Sequence, residues 1–301
     1  MMSILFLILS ILSFAAAIAI KVMFVPASQG IDIAGAYIFF TLKMPFQDLP
    51  ITESQVNSWL IILGIMFLCM FMTSGLKTRN LSVRQLLAEW IVEKTTNLVK
   101  SNMGEFFEGF APFVAAILGL SAFSSLSSLI GLFPPTSDIN IVAGWALLVF
   151  FLITYYKMKA GPLIYLKSFG QPVPLLAPLN IISEFATPVS MAFRHYGNVL
   201  SGSIISVLVA VGLSELSKLL FQFLPGVLAN FPYLRIGIPA VLSVYFDVFS
   251  GCLQAFIFAM LTMSYVSGGF PAEEYAARKE KREQRKAARE AVLASNKHKE
   301  S

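Results

Sequence analysis

The sequence predicts an all-α protein that crosses a membrane five or six times. Of its 301 residues, 56% are hydrophobic and only 13% are charged, and the mean hydropathy is +0.74. Several apolar runs reach the roughly 20 residues that a helix needs to cross about 30 Å of hydrocarbon. Because these runs lack the short alternating pattern of outer-membrane barrels, we predict that they are helices.

The residue inventory argues against a metalloenzyme or a nucleic-acid-binding protein. The net charge is +5, but most Lys and Arg residues flank apolar runs instead of forming one basic patch. The chain has no CxxC pair, no HExxH motif and no glycine-rich phosphate loop, and its only histidines are His195 and His298. We therefore expect no metal, no cofactor and no nucleic-acid partner.

The first apolar run, in residues 1–26, predicts an N-terminal membrane helix. A secretory signal segment is the alternative, because the alanines at 15–17 resemble a cleavage site, although the usual basic n-region is missing. Residues 27–56 contain Pro and Gly without a clear period, so we predict an external connector. The next apolar run predicts a spanning helix from Trp59 to Gly75.

Residues 81–103 have the pattern of an amphipathic helix that lies on the membrane surface. Apolar and polar side chains separate onto two faces at helical spacing. The apolar set is Leu86, Leu87, Trp90, Ile91 and Leu98, and the polar set is Arg84, Gln85, Glu89, Glu93, Lys94 and Lys100. Such a helix is expected to rest at the interface without crossing it.

Two ordinary spanning helices and two much longer ones are predicted after this segment. The ordinary pair runs from Phe106 to Phe133 and from Ile141 to Tyr156. The long pair, Leu179–Leu213 and Ile236–Ser267, would each extend on the order of 50 Å at 1.5 Å per residue. Helices that exceed the hydrocarbon thickness by this much must tilt, curve or project, so we predict a tilted pair.

The distribution of basic residues predicts the orientation. Residues 77–104 contain five Lys or Arg residues, residues 157–171 contain three, and the tail 268–301 contains nine. Cytoplasmic segments carry the excess of Lys and Arg in membrane proteins. We therefore predict that the amphipathic helix, the tail and the C-terminus are cytoplasmic and that the two long helices are antiparallel.

An arginine inside the first long helix is the strongest functional signal in the sequence. Arg194 has no acidic neighbour along the chain, and a guanidinium at membrane depth costs from a few to about 10 kcal/mol. Residues three, four and seven apart share a helix face, which groups Arg194 with Ser190, Gly197, Asn198 and Ser201. We predict that this face contacts protein or water and not lipid.

The last long helix carries a second polar face. Its members at helical spacing are Ser243, Asp247, Ser250, Gly251 and Gln254. Placed opposite Arg194 and Asn198, they would line a watery passage for a cation. Asp247 is the candidate proton relay, whereas an arginine cannot relay protons because a guanidinium is not deprotonated in proteins. An arginine can instead attract an arriving carboxylate and repel cations that would leak through.

Structural roles and a different transport role are also compatible with these polar residues. Arg194 and Asp247 would suit a structural ion pair, and Arg194 would suit a counter-ion for an anionic substrate in a secondary transporter. No inverted repeat supports the transporter. Asn198 and Gln254 would serve equally well in interhelical hydrogen bonds, and a membrane scaffold protein is the third alternative.

The stretch 190–199 resembles the signature of subunit a of F-type ATP synthases. That signature has a small residue, two spacers, an apolar residue, Arg, Leu, two residues and Asn, and only His195 departs from it, standing where the family usually has Leu. Further matches lie at 135–140, at 156–159 and in the last helix at 253–265. The resemblance covers roughly residues 57–267.

The resemblance assigns expected roles to individual residues. Arg194 matches the arginine that faces the ring of c subunits and meets each c carboxylate as it passes, and Gln254 matches a glutamine near that arginine. Asn198 and Ser190 match polar positions that line two aqueous half-channels. Glu184 lies near the acidic position that the family places at the cytoplasmic mouth.

Two further positions depart from the family pattern. Members usually carry a Glu or His pair where this chain has Ser203 and Asp247, so the outer path would rest on one carboxylate. The resemblance implies a non-catalytic, ion-translocating stator subunit in a bacterial inner (plasma) membrane. Its implied partners are the c-ring, subunit b and other stator subunits, membrane lipid, and transported H+ or Na+.

Overall fold

The structure, a computed structural model, describes residues 2–270 except for 26–34, 46, 79–80, 160, 171–173 and 224–230. The predicted basic tail therefore lies outside the described residues beyond position 270. Within the described chain the helices are α1 Met2–Phe24, α2 Glu53–Thr73, α3 Val83–Met103, α4 Ala111–Leu126, α5 Ile139–Met158, α6 Pro162–Ser168, α7 Ala177–Phe221, α8 Tyr233–Ser243 and α9 Gly251–Gly268.

Among the described residues, six helical segments are long and apolar enough to cross a membrane, which confirms the predicted all-α polytopic class. They are Met2–Phe24, Glu53–Thr73, Glu105–Ile130, Ile139–Met158, Pro174–Phe221 and Tyr233–Gly268. The third includes 3-10 turns on both sides of α4, at Glu105–Phe110 and Ser127–Ile130. Most side chains of these segments face away from the rest of the chain, as expected for helices solvated by lipid.

The connector predicted for residues 27–56 is more ordered than the sequence pattern indicates. Strands β1 (Ile38–Leu42) and β2 (Leu49–Thr52) pair antiparallel in a hairpin. Helix α2 then begins at Glu53, six residues before the predicted start. Thr52 explains this early start, because its side chain accepts from the Gln55 backbone while the Gln55 side chain returns a bond, which forms a capping box.

The bundle has two ends, which we name by their surface elements. The hairpin end carries the β-hairpin at 38–52, and the α3 end carries α3. Helix α3 begins after Ser82, whose side chain accepts from the Gln85 backbone. Its buried positions include Thr95 and Val99, whereas Trp90 from the predicted apolar face is 55% exposed and can contact lipid.

The core lies where α4, α5, α7 and α9 meet, with α3 closing it at one end. Its buried members include Val99, Phe107, Phe110, Val114, Val149, Ile153, Met191, Phe258, Met263 and Val266. Aromatic rings are concentrated towards the α3 end, where Phe107 contacts both Tyr156 and Phe270. This core fixes the rotation of α7 and α9 about their axes, and the candidate site depends on that rotation.

The two long segments differ from each other in regularity. Helix α7 has 45 residues, or roughly 68 Å, and continues through Pro188. The predicted continuous helix over Ile236–Ser267 is wrong in one respect, because a π-helix occupies Val244–Ser250 between α8 and α9. A π-turn shifts the angular register, so Asp247 and Gln254 do not share one α-helical face.

Candidate functional site

Arg194 lies on the face of α7 that points away from the rest of the chain. Arg194 and Ser190 are exposed, as is Ser201 two turns further on. The adjoining side of the helix is packed into the core, since Met191 is 2% exposed and His195 is fully buried. The residue that is most unusual in the sequence therefore faces the surroundings of the chain.

Within the described part of the chain, Arg194 forms no ion pair and no hydrogen bond. The ion pairs of the described residues all involve lysines: Lys21–Glu53, Lys100–Glu108, Lys157–Glu184 and Lys218–Glu215. The structural pair with Asp247, one of the alternatives from the sequence, is not formed. A guanidinium that the described chain does not pair is costly in a membrane, so a partner for Arg194 must be sought outside the described residues.

Asn198 does not share the outward face of Arg194, although their spacing predicts a common face. Its amide Nδ2 donates to Ser250 Oγ at 2.8 Å, and Ser250 Oγ lies 3.0 Å from Asn198 Oδ1. Both residues are partly buried. Gln254, one helical turn beyond Ser250, is 6% exposed and lies in the interior. Asn198 thus joins α7 to the end of the π-helix.

A cavity of about 430 Å³ opens near the hairpin end between α7 and the π-helix. We call it the hairpin-end cavity. Asp247 and Ser203, the two positions matched to the family's relay pair, both line it, together with Ser128, Tyr196 and Lys21. Ser203 and Asp247 therefore line one cavity, and Asp247 is a carboxylate in its wall.

A second cavity, of about 230 Å³, opens near the α3 end, and we call it the α3-end cavity. Glu184 lines it and pairs with Lys157 Nζ at 2.5 Å. Thr187, Ser264 and Tyr265 add polar groups to the wall. Outside the spanning segments, burial and then the Glu184 carboxylate raise the pKa of the Tyr165 phenol.

Arg194 lies between these two cavities along α7. Glu184 precedes it by ten residues and Ser203 follows it by nine, so the axial separations are roughly 15 Å and 14 Å. The two cavities therefore lie on opposite sides of Arg194 along the axis of α7.

Some residues of this region are not recognisable from the sequence as part of a site. In the sequence, Lys157 and Lys21 indicate only the topology of the chain. In the structure, each pairs with a carboxylate beside a cavity. The serines that recur in α4 and its 3-10 extension could have indicated this region from the sequence. Ser128 lines the hairpin-end cavity, and Ser121 Oγ lies 3.3 Å from His195 Nε2. The described residues contain no cluster of metal-ligating side chains.

Comparisons with known proteins identify the family of the chain. The sequence model of a family described as ATP synthase A chain matches residues 56–267. A protein named ATP synthase subunit a from Bacillus pumilus is 32% identical over 225 residues, which cover 69% of this chain and 89% of that protein.

Two further relatives carry corresponding names. ATP synthase subunit a of Legionella pneumophila is 29% identical over 75% of this chain and 90% of its own length. ATP synthase subunit a 1 of Crocosphaera subtropica is 30% identical over 74% of this chain and 89% of its own length. The chain therefore belongs to the ATP synthase subunit a family, as a multi-pass, non-catalytic channel subunit of the membrane sector.

Proposed function

We propose that this chain is the ion-translocating stator subunit of a rotary ATP synthase, with Arg194 separating two aqueous half-channels. The observation that carries the proposal is the position of Arg194, exposed on α7 between the hairpin-end cavity and the α3-end cavity. Each cavity would form the protein-lined part of one half-channel. The c-ring carboxylate would be the partner of the guanidinium.

The proposed mechanism follows from electrostatics. An ion enters one half-channel and neutralises a carboxylate of the c-ring, which can then move through lipid because it is uncharged. The carboxylate later loses the ion to the other half-channel and becomes charged again. Arg194 stabilises only the charged form and always stays protonated, so a deprotonated carboxylate stops beside it and ions cannot pass directly between the half-channels.

The other predicted residues receive supporting roles. Asp247 relays ions in the hairpin-end cavity with Ser203 beside it, while Glu184 and Lys157 form the polar mouth of the α3-end cavity. Asn198 holds α7 against the π-helix through Ser250, and buried Gln254 contributes to the interior of α9. Ser190 lies one turn before Arg194 on the exposed face and would meet the ring.

We assign the α3 end to the cytoplasm because the basic segments 77–104 and 157–171 lie there. The C-terminus would then be cytoplasmic and the hairpin end external, in a bacterial cell membrane. Subunit b and other stator subunits would hold the chain against rotation. The ion is H+ or Na+. Membership in the subunit a family argues against the secondary transporter as the alternative function.

The test is replacement of Arg194 by alanine in the assembled synthase. We expect Arg194→Ala to abolish both coupled ATP synthesis and ATP-driven ion pumping in membrane vesicles, because ions would cross between the half-channels without turning the ring. Arg235→Ala is the matched control, since Arg235 is an exposed arginine in α8 near the hairpin end. Coupled pumping that persists in Arg194→Ala would overturn the proposal.

A further inference from the structure

Helix α1 lies outside the matched family region, which begins at residue 56. Even so, it is packed closely against α2. A Cβ placed on Gly64 of α2 would lie 2.7 Å from both the Phe14 ring and Ser13 Oγ, so only glycine allows this approach. Ser10 Oγ donates to the Gly64 carbonyl at 3.0 Å. Small residues and a side-chain hydrogen bond are typical of permanent contacts between membrane helices.

The end of α1 also contacts α4 and the turn that follows it. Phe14 stacks on Phe123 of α4 with ring centroids 6.3 Å apart. Lys21 Nζ donates to the Gly131 carbonyl and lies 3.8 Å from Glu53 Oε1 at the start of α2. The side chain of Glu53 is 5% exposed, whereas that of Lys21 is 37% exposed. The negative charge of this pair is thus enclosed, and the positive charge is accessible.

The accessible charge lies at the hairpin-end cavity. Lys21 lines this cavity together with Asp247, although more than 220 positions separate the two along the chain. The potential inside a cavity depends most on the charges that face it, so the rim at Lys21 is positive for an approaching cation. Asp247 places a carboxyl group in the wall of the same cavity.

We propose that α1 is a permanent part of the ion pathway, in which it closes the hairpin-end cavity and supplies Lys21 as a cationic rim that sets how readily cations reach Asp247. The proposal rests on the proposed function, because it needs this cavity to be the outer half-channel. It excludes the secretory signal alternative, since cleavage after the alanines at 15–17 would remove the Ser10 and Phe14 contacts.

The first measurement is the intact mass of the subunit in the purified complex. We expect a chain that retains residues 2–24, with a mass near the 33.1 kDa of the full sequence. A mature chain that begins after residue 17 would overturn the proposal.

The second measurement is the external ion concentration that half-saturates ATP synthesis in reconstituted vesicles held at a fixed membrane potential. This quantity does not depend on how much complex assembles. Lys21→Gln removes the cationic rim and should lower the half-saturating concentration by about two- to tenfold at low ionic strength. The shift should largely disappear at about 1 M salt, where the screening length is roughly 3 Å.

Two further variants keep the experiment decisive. The single change Lys21→Gln leaves buried Glu53 unpaired and risks poor assembly. The double variant Lys21→Gln with Glu53→Gln removes both charges, and it should lower the half-saturating concentration by less than Lys21→Gln alone does. Lys43→Gln is the matched control, because Lys43 is an exposed lysine of the hairpin and does not line the cavity. Equal half-saturating concentrations in the Lys21 and Lys43 variants would overturn the proposal.

The two proposals fail in different ways. If only the role of α1 is wrong, Lys21 variants behave like the Lys43 control while Arg194→Ala still abolishes coupled transport. If the proposed function is wrong, Arg194→Ala retains coupled transport.

Discussion

At the residue scale, the polar side chains of α7 separate onto two faces with different partners. Arg194 and Ser190 face outwards, whereas His195 and Asn198 bond to other helices of the same chain. The sequence is enough to single out Arg194, because a lone charge in an apolar run is conspicuous. It does not separate Asn198 from Arg194, since residues four apart occupy nearby angles on a helix and only packing decides which one turns inwards.

Asp247 is the residue expected to relay ions in the hairpin-end cavity. Asp247→Asn keeps the size and hydrogen-bonding capacity of the side chain but removes its ability to exchange a proton. We expect ATP-driven pumping to fall on the order of 10²-fold, because a positioned proton-transfer group contributes roughly that much or more. Assembly, measured as the amount of complex in the membrane, should stay normal.

Asp48→Asn is the control for this variant, since Asp48 is an exposed carboxylate of the hairpin. If both variants pump at the wild-type rate, the relay lies elsewhere.

The Asn198–Ser250 pair predicts an energetic coupling between α7 and the π-helix. Asn198→Ala and Ser250→Ala should each lower the free energy of unfolding, because each leaves a half-buried partner without its hydrogen bond. The double variant should be less destabilised than the sum, with a coupling of about 0.6–1.7 kcal/mol. Unfolding of the purified subunit in detergent measures the free energy of unfolding of all three variants. If the losses of the two single variants add up to that of the double variant, the result contradicts the Asn198–Ser250 hydrogen bond.

At the element scale, the sequence predicts which segments span but not their internal irregularities. Apolar length identifies a spanning helix because the bilayer sets that length. The hairpin at 38–52 and the π-helix at Val244–Ser250 carry no such signal. Two close contacts made by glycines lie within and just after the π-helix: Gly202 of α7 contacts the Phe246 side chain, and Gly251, the first residue of α9, contacts Ser125. These contacts are tertiary, so spacing along the chain could not reveal them.

Close packing of the start of α9 against α4 predicts a specific sensitivity at Gly251. An added Cβ there would lie 2.6 Å from Ser125 Cβ, so Gly251→Leu should push α9 from α4 and destabilise the protein by about 1–3 kcal/mol. Gly212→Leu in α7 is the control, because a Cβ at Gly212 meets no atom within 4 Å. The unfolding temperature of the purified subunit measures both, and an equal loss in the two variants would argue against this contact.

At the scale of the whole molecule, the core of α4, α5, α7 and α9 holds Arg194 outwards between two cavities. The family resemblance singles out Arg194 and the two positions Ser203 and Asp247, which line one cavity. It gives no indication of Lys21, because α1 precedes the matched region and only the fold brings Lys21 to the cavity that Asp247 also lines.

The central claim is that the Arg194 face of α7 meets the c-ring, and disulfide cross-linking tests it most directly. Exposed Cys69 and Cys252 are first replaced by alanine. Ser190→Cys or Ser201→Cys is then combined with a cysteine beside the carboxylate of subunit c, with Ala192→Cys, which is 4% exposed, as the buried control. We predict a cross-link to subunit c from positions 190 and 201 and none from 192. Cross-linking from 192 alone, or from none of the three, would contradict the account.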